Sequence, residues 1–310
     1  MHLLIPFATA LQDAAAHTLR DLALPNLQRL LNTLEAGALD SADEYSLSAP
    51  HERALAAAWG WRGDDGTLPF AARLAAADGI ATGERAWGLL TPVHWQVGRE
   101  HITLADPSEL ALDDAESRTV FAAIRELFES LGWTLAYAAA SRWYAAHDSL
   151  ADMPCASIDR VIGRNIDLWL TPGPKTRLLR RLQNEVQMLL YQHPLNDERT
   201  ARGALPVNSF WISGCGAFQP ADERAVTVDD RLRAPLLAAD WPAWADAWRA
   251  LDAEVLATLL PAAERGEGVA LTLCGERSAQ RFDAAPRSAW QKLGRRFKAG
   301  ADPAAVLERL

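Results

Sequence analysis

Segments that read as strands alternate with segments that read as helices along the whole 310-residue chain, and this alternation limits the fold more than any single motif does. Residues 3–7 form a short apolar run of strand type, and residues 14–34 carry helical spacing broken at Leu24-Pro25-Asn26, where the proline suits a helix start. Residues 40–48 are polar and read as a loop, 52–59 as helix, 62–66 as a turn, and 68–77 as helix again. Short strands are expected at 86–90 and 94–97. Asp113 or Asp114 then caps a helix whose Val120, Ile124, Leu127, Phe128 and Leu131 share one face. Gly132 ends that helix and a strand is expected over 133–137. Thr171-Pro172-Gly173-Pro174 is a breaker, after which 175–192 is the most periodic helix, with Leu178, Leu182, Val186 and Leu189 on one side. A strand at 209–212, a helix at 241–260 and a strand at 269–274 complete the series. Trp241, Trp244 and Trp248 at helical spacing read as a core face. The expectation is an α/β fold with a largely parallel central sheet.

Composition excludes several other classes. Hydrophobic residues are 49% and charged residues 23%, enough apolar surface for a sizeable core and too much for disorder. No apolar run is long enough to span a bilayer, and residues 1–10 lack a basic start and contain Pro6, so they read as a buried strand rather than a leader. Three cysteines, Cys155, Cys215 and Cys274, are widely spaced and read as reduced thiols of a cytoplasmic protein, not a disulfide framework. The net charge is −9 and uneven. Residues 1–170 hold 12 basic and 23 acidic side chains, and residues 171–310 hold 19 and 17. The net acidity argues against nucleic acid as a partner, and an anionic ligand belongs with the second half. Basic residues crowd the start of the 175–192 helix (Lys175, Arg177, Arg180, Arg181) and the 277–298 segment, where seven basic residues meet one acidic residue, Asp283; both read first as solvated faces.

The chemistry-bearing motifs are few. The seven histidines (His2, His17, His51, His94, His101, His147, His193) form no zinc pattern, and there is no phosphate-loop glycine pattern and no G-x-S-x-G elbow. Cys215 lies between Gly214 and Gly216 and reads as a buried structural thiol. The densest polar group is His193-Pro194-Leu195-Asn196, then Arg199, Arg202-Gly203, Asn208 and Trp211-x-x-Gly214-x-Gly216. Arginine forks and amides are what a phosphate or carboxylate ligand requires. The plain alternative is a helix end, a turn and a strand with a core aromatic. A second group is Arg142-Trp143-Tyr144 followed by His147-Asp148, where His147 is a candidate base or ligand and a surface histidine is the plainer reading.

The 193–216 run resembles the archaeal-type cofactor-independent phosphoglycerate mutases, members of the alkaline phosphatase superfamily. Looser similarity extends to Leu24-Pro25-Asn26-Leu27, to Ser48-Ala49-Pro50-His51 before Trp59-Gly60-Trp61, to Pro69-Phe70-Ala71-Ala72 with Asp78-Gly79-Ile80, and to Ala145-Ala146-His147-Asp148. The chain is also similar to the RpfE-type regulatory proteins, through Thr91-Pro92-Val93-His94-Trp95 and the Arg-Leu-Gln-Asn-Glu-Val-Gln run at 181–187. The resemblance implies an alkaline-phosphatase-like core made of residues 1–94 and 206–310, with a mutase-type α+β insert over 95–205. It also implies an Asp metal ligand at the end of the first strand and an Asp-His pair with further histidines late in the chain. Here the first strand ends Ile5-Pro6-Phe7-Ala8-Thr9 and no histidine follows His193. A two-metal phosphoryl-transfer site needs several such ligands.

The expected function is therefore a non-catalytic mutase-like regulatory or ligand-sensing protein with no metal or other cofactor. Its expected partners are a small phosphorylated anion and a protein, with no membrane. Ser48 is a candidate remnant of the nucleophile, and His193, Asn196, Arg199, Arg202, Asn208, His147 and Arg142 are the candidate anion ligands. Two alternatives stand beside it. One is an active metal-dependent phosphoglycerate mutase or phosphatase with a rebuilt site. The other is a protein- or nucleic-acid-interaction module using the basic 277–298 segment.

Overall fold

The computed structural model describes residues 1–170, 173–222, 226–284 and 300–310, with the side chain of Lys175 excepted. The chain is α/β and divides into two compact units, Met1–Glu44 with Ala49–Gly60 and Asp222–Leu310, and Tyr45–Ser48 with Trp61–Ala221.

The first unit is built on a five-stranded sheet in the order β2-β11-β10-β1-β9. Its strands are β1 (His2–Ile5), β2 (Glu35–Ser41), β9 (Val226–Val228), β10 (Ala270–Cys274) and β11 (Ser278–Asp283). β1 runs parallel to both β9 and β10, while β11 is antiparallel to β10 and to β2. The sheet is thus mixed, where a largely parallel one was expected. β1 and β10 are buried at every position, the pattern of strands covered on both faces. Leu3, Ile5, Leu271 and Leu273 face a core with α1 (Asp13–Arg20), α2 (Pro25–Thr33), α10 (Trp241–Leu251) and α11 (Ala257–Arg265). Leu4 and Cys274 face the other way, against Ala54 and Leu55 of α3 (Pro50–Ala58). Trp244 and Trp248 are fully buried in the first core, as their spacing predicted. Pro25 opens α2, and the buried Asp252 carboxylate accepts from the Leu27 N–H at 2.7 Å and the Asn26 N–H at 3.2 Å, so a negative charge sits at that helix's positive end.

The second unit carries a four-stranded antiparallel sheet, β6-β7-β3-β8, made of β3 (Ala86–Val93), β6 (Thr134–Ala139), β7 (Arg142–Ala146) and β8 (Ser209–Ala217). A separate hairpin joins β4 (Trp95–Val97) to β5 (Ile102–Leu104). One face packs on α5 (Asp114–Glu129) and α7 (Pro174–Tyr191), the other on α4 (Phe70–Ala77). Asp113 caps α5 by accepting from the Glu116 N–H at 2.8 Å, and Val120, Ile124 and Phe128 are buried as the pattern required. α8 (Pro194–Ala201) leads back to β8.

Two expectations differ from this layout. β3 and β8, assigned from sequence to the same core as the first strand, pair with each other in the antiparallel sheet, so the unit of 61–221 is wider than the insert of 95–205. The strand expected to stop at 212 runs on through Gly214, Cys215 and Gly216, because a register shift against β3 absorbs the glycines as a bulge.

Candidate functional site

The residues gathered by the 193–216 motif come together in the second unit, and their polar atoms are bonded within the fold, with the Arg202 side chain half exposed. The backbone turns from α7 into α8 at His193, whose Nδ1 accepts from the Leu195 N–H at 3.2 Å and caps α8. The Asn196 amide donates to the Leu190 carbonyl at 2.9 Å and the Val207 carbonyl at 2.7 Å, and its oxygen accepts from the Val207 N–H at 2.9 Å. One side chain thereby fastens the end of α7 to the segment entering β8. Asn208 does the same for the hairpin, accepting from the Trp95 N–H at 2.7 Å and donating to the Trp95 carbonyl at 2.9 Å. Arg199 is 0% exposed. Its Nε donates to the Leu205 carbonyl at 2.8 Å, and its other nitrogens donate to the Leu110 carbonyl and the Glu116 carboxylate. Arg202 reaches the second oxygen of the same carboxylate. The two guanidiniums therefore face an internal anion, Glu116, which is 8% exposed. That pairing is what makes so buried an arginine tolerable.

Arg142 lies in the same unit on β7 and is also paired. Its Nε and Nη2 donate to Asp78 at 2.7 and 2.9 Å, and the Tyr144 hydroxyl donates to Asp78 at 2.6 Å. The Arg142 hydrogen bonds hold the Asp78 carboxyl below the usual carboxylate range, and burial with the Asp78 contact raises the Tyr144 phenol. The His147 ring stacks on Trp133, centroids 4.6 Å apart, and its Nδ1 lies 2.8 Å from the Ser149 hydroxyl. Ser48 is 3% exposed, and its hydroxyl accepts from the Gly66 N–H at 2.8 Å. Asp65 accepts from the N–H groups of Leu47 and Ser48 at 2.7 and 2.8 Å and from the Ser46 hydroxyl at 2.9 Å. Burial opposes the Asp65 charge, but those donors outweigh it and keep the carboxyl below its ordinary range. Glu116, Asp78 and Asp65, the carboxylates that complete these groups, carry no local signal in the sequence. Each pairs with side chains many positions away.

In open α/β sheets ligands bind outside the carboxyl ends of the parallel strands. In the first unit that edge holds Phe7 just past β1. Phe7 is a non-glycine residue at φ +58°, a conformation that costs an L-residue roughly 1–2 kcal/mol. Its ring packs on His51, centroids 5.3 Å apart, the Arg233 guanidinium lies 6.0 Å from its centroid, and its carbonyl accepts from the Trp244 indole at 3.2 Å. The carboxylates nearby are occupied. Asp229, past β9, pairs with Arg231 at 2.9 Å, and Glu276, past β10, accepts from the Leu11 N–H at 2.9 Å. Among the described residues no group of three or more His, Cys, Asp or Glu side chains is placed to hold a metal ion. Among the described residues, therefore, the side chains do not fit a two-metal centre.

The remaining sequence candidates are dispersed. Arg277 pairs with Glu44 at 2.6 Å and Arg281 with Asp283 at 2.7 Å, while 285–299, with Arg295 and Arg296, lie outside the described residues. Arg181 pairs with Glu185 at 2.7 Å. Among the described residues no helix is long and apolar enough to cross a membrane.

No family model matches the chain, and no curated protein matches it. Among solved structures, the cofactor-independent phosphoglycerate mutase from Thermoplasma acidophilum is similar at 13% identity and a TM-score of 0.39, over 92% of this chain and 89% of that one. The PH0037 protein from Pyrococcus horikoshii is similar at 13% identity and a TM-score of 0.49, over 98% of this chain and 92% of that one. At such identities and scores neither assigns an activity, a ligand or a catalytic residue here.

Proposed function

We propose that this chain is a non-catalytic relative of the cofactor-independent phosphoglycerate mutases, with an alkaline-phosphatase-like ancestry, that serves as a regulatory or ligand-sensing protein. The observation that carries the proposal is Phe7. The resemblance at 193–216 calls for an Asp metal ligand at the end of the first strand, where Pro6-Phe7-Ala8-Thr9 hold no carboxylate and the Phe7 ring packs on His51 with the Arg233 guanidinium 6.0 Å from its centroid. Phosphoryl transfer in that superfamily needs cations to activate the nucleophile and stabilise developing charge. An aromatic ring supplies neither ligand nor charge. The Ser48 hydroxyl is engaged with the Gly66 N–H and with the Asp65 carboxylate, and no group among the described residues is placed to hold the cation that would activate it as the superfamily chemistry requires.

A small phosphorylated anion belongs to this proposal through Arg202 and Arg142, whose side chains are 52% and 41% exposed; Arg199 is sealed inside. An arriving anion competes there with Glu116 and Asp78. The decisive experiment is an enolase-coupled assay of the intact protein with 3-phosphoglycerate, with manganese or zinc supplied. The expected result is no turnover above buffer. Metal-dependent turnover abolished by Ser48→Ala would refute the proposal. Calorimetric titration with 2- and 3-phosphoglycerate tests the sensing half: heat of binding lost in Arg202→Ala supports it, and no heat with either ligand removes it.

A further inference from the structure

The cysteines are widely spaced in sequence, yet two of them meet. Cys215 Sγ lies 2.9 Å from Cys155 Sγ, both as free thiols, 0% and 8% exposed. We infer that Cys155 and Cys215 form a reversible redox pair, closed to an intrachain disulfide by a peroxide and reopened by a thiol. This stands independently of the function proposed above.

The geometry around the pair is built by small residues. Trp87 pairs with Gly216 and Leu89 with Ser213, so Gly214 and Cys215 form the bulge opposite Gly88. Gly214 sits at φ +62°, and a Cβ there would come 2.9 Å from the Ala71 nitrogen. A Cβ on Gly88 would lie 2.7 Å from the Ile212 side chain and 3.2 Å from Cys215 Sγ. A side chain at 88 would therefore crowd both Ile212 and the Cys215 thiol. Cys155 is fixed from the other side, its N–H donating to the Gly66 carbonyl at 2.9 Å and its thiol to the Met153 carbonyl at 3.5 Å. The separation of the sulfurs exceeds a covalent S–S bond of about 2.05 Å by less than 1 Å, so closure brings them together over a short distance.

Access is through Cys155. A small, mainly apolar cavity lined by Pro154, Cys155, Trp169, Gln183 and Trp211 has room for a molecule about the size of water. So small an opening favours a small oxidant such as a peroxide over a bulky disulfide reagent. The cavity is lined by Cys155 and not by Cys215, which is 0% exposed, so Cys155 is the attacking sulfur and Cys215 the resolving one; burial also raises the Cys215 thiol. The Cys155 thiolate attacks one peroxide oxygen and the O–O bond breaks. A sulfenic acid forms, and the departing hydroxide leaves as water with the thiol proton. Cys215 sulfur then attacks Cys155 sulfur, the S–O bond breaks, and the second hydroxide leaves as water with the Cys215 proton. Two thiols lose two electrons, and one peroxide becomes two waters.

The test uses the intact native protein exposed to hydrogen peroxide, quenched in acid, then unfolded in an alkylating reagent and weighed by mass spectrometry. Alkylatable thiols are expected to fall from three to one, the survivor being Cys274, with a peptide linking 155 to 215 and full recovery after dithiothreitol. Cys274 packs with Leu4 and Ala279 in the other unit, so Cys274→Ser should still lose two thiols, whereas Cys155→Ser and Cys215→Ser should form no intrachain link. Three surviving thiols at a peroxide dose that oxidises free glutathione would overturn the inference. So would a sulfinic acid at Cys155 without linkage, or a bridge between two chains.

Discussion

The α8 region of the second unit and the carboxyl edge of the parallel strands in the first unit make an instructive pair. The α8 region is rich in the residues that bind anions, and every one of them is tied to the protein's own backbone or to Glu116. The strand edge is poor in such residues, holds an aromatic ring in a left-handed backbone conformation, and sits where an α/β sheet ordinarily presents its ligand. An inventory of polar side chains therefore does not separate a fastening from a site. Position relative to the sheet, and whether donors have partners inside the fold, does.

The largest effect expected from this contrast falls on Arg199. Arg199→Leu leaves the Glu116 carboxylate buried with half its partners gone and should cost about 3–5 kcal/mol in urea unfolding. An unchanged midpoint would mean that Arg199 serves a ligand instead of the fold. Asn196→Ala removes the partners of two carbonyls and one N–H and should cost about 3 kcal/mol by the same measurement. In the first unit the comparison is sharpened by pH. His2 packs in β1 with its Nε2 2.8 Å from the Thr272 hydroxyl; burial first, then Arg281, lower its pKa from 6.5 to about 4, against the opposing pull of Asp283. The folded state keeps this imidazole neutral while the unfolded chain protonates below 6.5. Stability should then fall by about 2 kcal/mol as pH drops from 6.5 towards 4, and that fall should flatten in His2→Gln. The smallest effect is expected at Ser48. Ser48→Ala deprives the Gly66 N–H of its acceptor and should cost about 1 kcal/mol while leaving phosphoglycerate turnover at the buffer level.

How much of this was legible depends on how local the cause is. The face of α5 and the buried tryptophans of α10 follow from spacing alone, because a helix shows its burial every three to four residues. β2 was hidden because all seven of its positions are exposed, so no alternation marks it. β7 and β11 were hidden behind residues that read as a polar group or a basic segment. The mixed sheet follows from β11 turning back on β10, which no strand composition reveals. The 193–208 residues were visible as a group, but their purpose was not, since Glu116 lies 83 positions from Arg199 and pairing over that distance is set by packing. The meeting of Cys155 and Cys215, 60 positions apart, was invisible for the same reason.

The central proposal, that Phe7 and its neighbours stand where the resemblance calls for a metal ligand, is tested most directly by equilibrium dialysis of the intact protein against manganese and zinc, followed by elemental analysis. The account predicts no stoichiometric metal in the wild type, and none in Phe7→Asp, since one carboxylate does not make a two-cation site. Two divalent ions retained per wild-type chain would contradict it.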